Sequence, residues 1–400
     1  GFSPEEYKQG NQWNFYDLPL IANYSVFYRL PLGSQEPIED VIAHSPGNFG
    51  YNEATRQFNL PPSTGRPELT FFGSRSTTDT GVQTLLNETI FSTTNRSLSR
   101  LDVQQDTTTS QDLGFRLSDP LPEFSGIRSS LSGGLDYKTY ATSGAKTNSF
   151  IFRETRYNAQ GIPIATNVNT VSSPVPITDS SLYYLPWAVN YSGAWRGSLT
   201  DVSFGLGVSG NTWYDSSTTT NAVTASTGRK SLQTLTGSKD STGYWVALHP
   251  NLSVDFNLPR QWVFSANAAG QWASEPLISN EQFGIGGVNS VRGYHEGEAF
   301  GDTGWYLSLE QKTPAHVVGM INGNLPLTLR GSLYMDYGAA YLLDPQGRPD
   351  VTQLWGTGFG VTAAAGSHWQ ARFLFSLPLI GTSSTRLDQP YFNFALTSQF

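Results

Sequence analysis

The chain has 400 residues, a net charge of −8, 14% charged and 13% aromatic residues, 40 Gly, 2 Met and no Cys. About a quarter of the residues of an ordinary soluble domain are charged, so this composition argues against a soluble enzyme. The lack of Cys excludes disulfides and thiolate metal sites, and the negative charge argues against a nucleic-acid partner. No run of about 18 apolar residues occurs, which excludes a transmembrane helix but not a barrel, whose strands also satisfy every backbone group.

In chain order, period-two alternation predicts strands at 20–30, 68–77, 111–120, 128–140, 146–158, 182–196, 199–214, 243–257, 260–273, 303–313, 328–342, 353–363, 369–379 and 391–400. Residues 11–19 and 82–95 are ambiguous. Polar stretches at 32–66, 159–181 and 215–242, rich in Ser, Thr, Gly and Asn, read as long external loops. The two faces differ in kind. Leu131, Leu135 and Tyr137 alternate with Ser132, Asp136 and Lys138; Leu333, Met335 and Tyr337 alternate with Ser332, Tyr334, Asp336 and Gly338. Trp355, Phe359 and Val361 alternate with Gly356, Gly358 and Gly360, and Phe373 and Phe375 with Arg372 and Leu374. Aromatics facing lipid and small polar residues facing water are what a porin-like barrel requires.

The expected fold is therefore all-β: a closed antiparallel transmembrane β-barrel of fourteen to sixteen strands, with sixteen preferred because bacterial single-chain barrels have even counts. It fills 1–400 as one domain, with Asp136, Lys138, Asp336 and Arg372 facing the lumen. A polar start at Gly1 shows no leader, so the chain is expected to be mature or a fragment. The final strand carries Phe392, Phe394, Leu396 and Phe400 on alternate positions, which resembles the assembly signal of outer-membrane barrels. A cell outer membrane of the Gram-negative type is the expected location, with lipid and lipopolysaccharide as surroundings.

Function is concentrated in the run Glu281–Tyr294, containing Gly286-Gly287 and then Val291-Arg292-Gly293-Tyr294. Alternation turns Glu310 on one following strand and Asp336 on the next toward the lumen. A carboxylate facing lipid would cost several kcal/mol, and a planar guanidinium on the intervening loop suits two inward carboxylates. The loop 286–301 is therefore expected to fold inside. Taken alone, such a group favours a purely structural lumen ion pair of the kind that holds a constriction loop.

The tetrad, the strand glutamate Glu310, and the strand motif Tyr334-x-Asp336-x-Gly338 together resemble the superfamily of outer-membrane insertases and two-partner secretion transporters. Gly304-Trp305-Tyr306 and the early run from Tyr24 to Gly33 are similar to the two-partner secretion branch. The resemblance implies a sixteen-strand barrel whose loop arginine, Arg292, contacts Glu310 and Asp336, with Tyr334 and Gly338 flanking. It implies export of an unfolded client polypeptide, driven by folding outside and not by ATP. The alternatives are a barrel-assembly insertase of the same superfamily, or a passive or structural barrel, which can be a subunit of a larger envelope complex. Periplasmic transport modules, usual before such barrels, are not seen in this chain. No cofactor and no enzyme activity are expected: the five His are scattered, Ser143–Thr147 lacks phosphate-loop spacing, and no nucleophile–His–acid set is apparent.

Overall fold

The structure, a computed structural model, describes residues 20–32, 50–52, 57–59, 66–79, 83–91, 96–158, 160, 162–175, 178–220, 227–228, 238–321, 325–347, 349–366 and 369–398. Apart from a 3-10 turn at Pro259–Gln261, the regular elements among them are strands. The first are β1 (Leu20–Pro31), β2 (Gly50–Asn52), β3 (Gln57–Asn59), β4 (Glu68–Asp79), β5 (Gln83–Phe91), β6 (Arg96–Phe124), β7 (Ile127–Tyr157) and β8 (Pro163–Val175). Next come β9 (Thr178–Arg196), β10 (Thr200–Thr220), β11 (Thr227–Gly228), β12 (Val246–Asn257), β13 (Val263–Ala273), β14 (Phe283–Ile285) and β15 (Ala299–Gly301). The last are β16 (Thr303–Lys312), β17 (His316–Ile321), β18 (Leu325–Tyr341), β19 (Val351–Ala365), β20 (Trp369–Pro378) and β21 (Tyr391–Ser398).

A single antiparallel ladder runs β1-β4-β6-β7-β9-β10-β12-β13-β16-β18-β19-β20-β21. Thirteen strands thus follow one another among the described residues, from β1, paired with β4, to β21, paired with β20. The small strands β14 and β15 pair with each other inside the connection between β13 and β16.

Side chains sort by face as the alternation requires. Leu333, Met335, Trp355, Phe359, Phe373, Phe392 and Phe394 are exposed on the outer face. On the inner face Asp136, Arg292, Asp302, Glu310 and Asp336 are buried. This inverts the usual soluble arrangement of apolar inside and charge outside. The largest buried apolar cluster, Ile285, Val291, Tyr294, Ala299, Ala340 and Leu354, lies between the β13–β16 connection and the inner wall, not between two sheets.

Several expected boundaries are corrected. The segments 128–140 and 146–158 are one strand, β7, of 31 residues, and 111–120 is part of the 29-residue β6. Gly144 between the two halves of β7 pairs with Asp106 and makes no turn. The expected loop 159–181 contains β8, which pairs with the second half of β7, and the ambiguous 82–95 contains β5, which pairs with the first part of β6. In 32–66 the short pair β2–β3 forms, and β10 continues into 215–242 as far as Thr220. The physical reason is common to all: only about 9–11 residues of a tilted strand need to alternate for lipid. Polar stretches such as 141–145 carry the hydrogen-bond ladder on where strict alternation stops. The ambiguous 11–19, and Phe400, lie outside the described residues.

Candidate functional site

The connection from Ser274 to Asp302 does not extend away from the sheet; it folds across the inner face. Its base is fixed by Asp302, whose Oδ1 accepts from the Leu277 amide (2.8 Å) and Gln282 Nε2 (3.1 Å), and whose Oδ2 accepts from the Leu343 amide (2.9 Å). Gln271 on β13 donates to the carbonyl oxygens of Glu281 and Asp302. Phe283 stacks on Tyr306, with ring centroids 6.3 Å apart.

At the far end the tetrad meets the wall. Arg292 Nε and Nη2 donate to the two oxygens of Asp336 at 2.6 and 2.7 Å, a bidentate fork. Its backbone amide donates to the same carboxylate at 3.0 Å. Nη1 reaches Glu310 Oε2 at 3.0 Å, and Nη2 also reaches Ser308 Oγ at 3.0 Å. The guanidinium lies 3.5 Å from the centre of the Tyr334 ring. Arg292 is 4% exposed and Asp336 0%, so these charge-assisted bonds act with little water to weaken them.

The register explains how the wall presents this set. Ser308 stands opposite Asp336 and Glu310 opposite Tyr334 across the β16–β18 ladder. Gly356 stands opposite Asp336 and Gly358 opposite Tyr334 across β18–β19. The Tyr334 ring lies over Gly358, and its hydroxyl is 2.9 Å from the Phe375 carbonyl and 2.6 Å from Ser376 Oγ on β20. The alternating glycines of β19 thus form a trough. A Cβ at Gly356 would overlap the Arg292 carbonyl oxygen, and one at Gly358 would overlap the Phe375 carbonyl oxygen.

The remaining tetrad residues dock the backbone. Val291 is fully buried, with Cγ2 filling the space left by Gly338. Gly293 has φ +98°, a conformation that side chains resist, and lies against Leu377 and Pro378. The Tyr294 hydroxyl is 2.8 Å from the carbonyl oxygens of both Trp355 and Ile380, and their amides approach it at 3.1 and 3.2 Å. Beyond the tetrad, Glu298 accepts from Thr382, Ser384 and Thr385, and His295 meets the Tyr391 hydroxyl at 2.7 Å.

The structure therefore brings together Val291, Arg292, Gly293, Tyr294, Glu310, Tyr334, Asp336 and Gly338. It keeps Phe392, Phe394 and Leu396 apart from them, exposed on the outer face of β21. Arg372 also faces the site, 4.0 Å from Glu310, so the two acids meet two cations. Sequence reasoning missed Ser308, Gly356 and Asp302. Ser308 and Gly356 were readable from register; Asp302, a lone acid before a strand, carried no signal.

Residues 197–363, which hold Arg292, Glu310, Asp336 and Gly356, match the family described as haemolysin secretion/activation protein ShlB/FhaC/HecB. The match bears out the resemblance carried by the tetrad and strand motifs. Among solved structures, the chain is similar to CdiB from Escherichia coli (13% identity, TM-score 0.44), covering 100% of this chain and 67% of that one. It is similar to CdiB from Acinetobacter baumannii (14% identity, TM-score 0.46), covering 96% of this chain and 57% of that one. A third is BamA from Haemophilus ducreyi lacking POTRA domains 1–3 (11% identity, TM-score 0.36), covering 99% and 75%. The chain thus spans well under two thirds of the length of the Acinetobacter CdiB structure. No curated protein matches the chain.

Proposed function

We propose that this chain, which over residues 197–363 matches the haemolysin secretion and activation family, is the membrane portion of a two-partner secretion transporter. It sits in the outer membrane of a Gram-negative-type cell and passes an unfolded client polypeptide outward. In this reading the ladder closes between β1 and β21 into a barrel, with sixteen strands the expected complement and 1–400 a single barrel domain. The exposed apolar face meets lipid and lipopolysaccharide, and Phe392, Phe394, Leu396 and Phe400 serve as the assembly signal. The work is transport, with no bond-making step and no cofactor.

The observation that carries the reading is the buried, five-bonded Arg292 at the tip of a segment lying across the lumen. Such a segment lies in the path that a client must take, and its seat on the wall defines the conformation that the client engages, so loss of the seat costs export even where it opens the channel. Side-chain bonds such as those of Arg292 and Tyr294, and not strand pairing, hold the segment to the wall, so the ladder stays intact when it moves. Breaking a buried ion pair costs about 3–5 kcal/mol, which client entry and folding outside can offset, so the segment is displaced reversibly. Val291, Arg292, Gly293 and Tyr294 are the lumen-loop residues, and Glu310, Tyr334, Asp336 and Gly338 are the wall that receives them.

The test expresses the full-length protein with its client in a secretion-deficient outer membrane and measures extracellular client against folded barrel. Export that depends on the chain supports the reading. A folded barrel that exports no client, yet restores insertion of other barrels, would assign the insertase role instead.

A further inference from the structure

The segment Ser274–Asp302 is held at a second place, far from the tetrad. Glu281 Oε1 accepts from Lys138 Nζ at 2.8 Å and from the Tyr184 hydroxyl at 2.7 Å. The neighbouring Asn280 donates to Ser110 Oγ at 2.9 Å. These partners lie on β6, β7 and β9, whereas Arg292 binds β16 and β18. The strands β9, β10, β12 and β13 stand between β7 and β16 in the ladder. At about 4.8 Å per strand, β7 and β16 are roughly 24 Å apart along the sheet. The segment therefore works as a bar fastened to two distant parts of a curled wall.

The second fastening has a feature the first lacks. Lys138 stands directly opposite Asp112 in the β6–β7 register, and opposed side chains lie within about 5.5 Å on one face. Asp112 is buried, and its Oδ1 has no hydrogen-bond partner among the described residues. The nearby Asp136 is already paired with Arg116. When Glu281 leaves, Lys138 has an unoccupied acceptor beside it and is not left as a bare buried charge.

We infer that Lys138, Glu281 and Tyr184 form a second, releasable clamp on the lumen segment, and that Asp112 is the acceptor that takes Lys138 when the clamp opens. These are positioning residues, and the inference rests on the transport reading of the segment. Asp112 and Glu281 compete for one ammonium: Glu281 holds the bar across the lumen, and Asp112 stabilises the released state. The two carboxylates thus act on the same equilibrium with opposite sign, which ordinary structural residues do not do.

The experiment records single-channel openings of the purified full chain in planar bilayers, alongside heat-modifiable folding and client export. Glu281→Gln lies outside the ladder and keeps a Tyr184 partner; it is expected to raise the open-to-closed ratio about tenfold, equivalent to about 1.4 kcal/mol. Asp112→Asn is expected to lower that ratio, because the open state loses the partner of Lys138. Combining Glu281→Gln with Arg292→Ala should multiply the two effects, because independent sites add in free energy. If Glu281→Gln and Asp112→Asn both leave the ratio unchanged, or shift it the same way, the second clamp is refuted even where Arg292→Ala opens the channel. A wild-type chain that exports no client refutes the transport reading separately, whatever the recordings show.

Discussion

Gly356 stands in register with Asp336 and directly beneath the carbonyl of Arg292, so that the smallest possible side chain there would overlap that oxygen. The tetrad can reach its carboxylate only because this position on β19 has no Cβ. Gly356→Ala should therefore unseat Arg292 at a cost of about 1–3 kcal/mol, the usual range for overpacking. Folded barrel should survive. Gly319→Ala, where a Cβ meets nothing within 4 Å, should be silent in the same export assay.

Arg292→Lys keeps the charge and loses the fork. An ammonium cannot reproduce the paired bonds to Asp336 while also reaching Glu310 and Ser308. A loss of about 2–3 kcal/mol in loop seating is expected, within the range for bonds to charged groups. Because the chain has no Cys, Ala299→Cys, buried beneath the seated loop, reports on the loop by its rate of reaction with a thiol reagent. The rate should rise in Arg292→Lys; an unchanged rate would show that charge alone seats the loop.

Tyr294→Phe should be milder. The Trp355 carbonyl also accepts from the Leu379 amide at 2.7 Å, so it is not orphaned when the hydroxyl goes. About 1 kcal/mol is expected, with the buried ring still packed against Ile285, Ala340 and Leu354. The thiol of Ala299→Cys should react faster than with the unaltered tetrad and slower than in Arg292→Lys.

Much of this was legible before the fold was seen, and the limits have physical causes. Alternation alone placed Asp136, Lys138, Asp336 and Arg372 on one face, because a carboxylate or guanidinium facing lipid is costly. The resemblance brought Arg292 to Glu310 and Asp336. Three things were hidden. The polar stretch 141–145 that joins the two halves of β7 carries no apolar alternation, so one 31-residue strand read as two. Asp302 acts through backbone amides from Leu277 and Leu343, a contact with no sequence spacing. The Lys138–Glu281 pair joins residues 143 apart in the chain, and nothing local links them.

Asp302→Ala should loosen the base of the loop without touching either clamp. It leaves the Leu277 and Leu343 amides and Gln282 Nε2 without their shared acceptor, and each buried orphan costs about 1–3 kcal/mol. Hydrogen exchange at Leu277 and Leu343 should accelerate, with the β16–β18 amides still protected. Uniform protection throughout would mean that Asp302 does not organise the base.

The central claim is that Arg292 and Asp336 act as one contact in moving a client. Breaking such a buried pair costs about 3–5 kcal/mol. Glu310 retains Arg372 at 4.0 Å, so Asp336 is the acid left uncompensated in Arg292→Ala. The measurement is client export, normalised to heat-modifiable barrel, in Arg292→Ala, Asp336→Ala and the double variant. The predicted result is an export defect in each single variant with normal barrel abundance, and a double variant no worse than either. Normal export by Arg292→Ala, or a double variant whose defect is the sum of the two, would contradict the account.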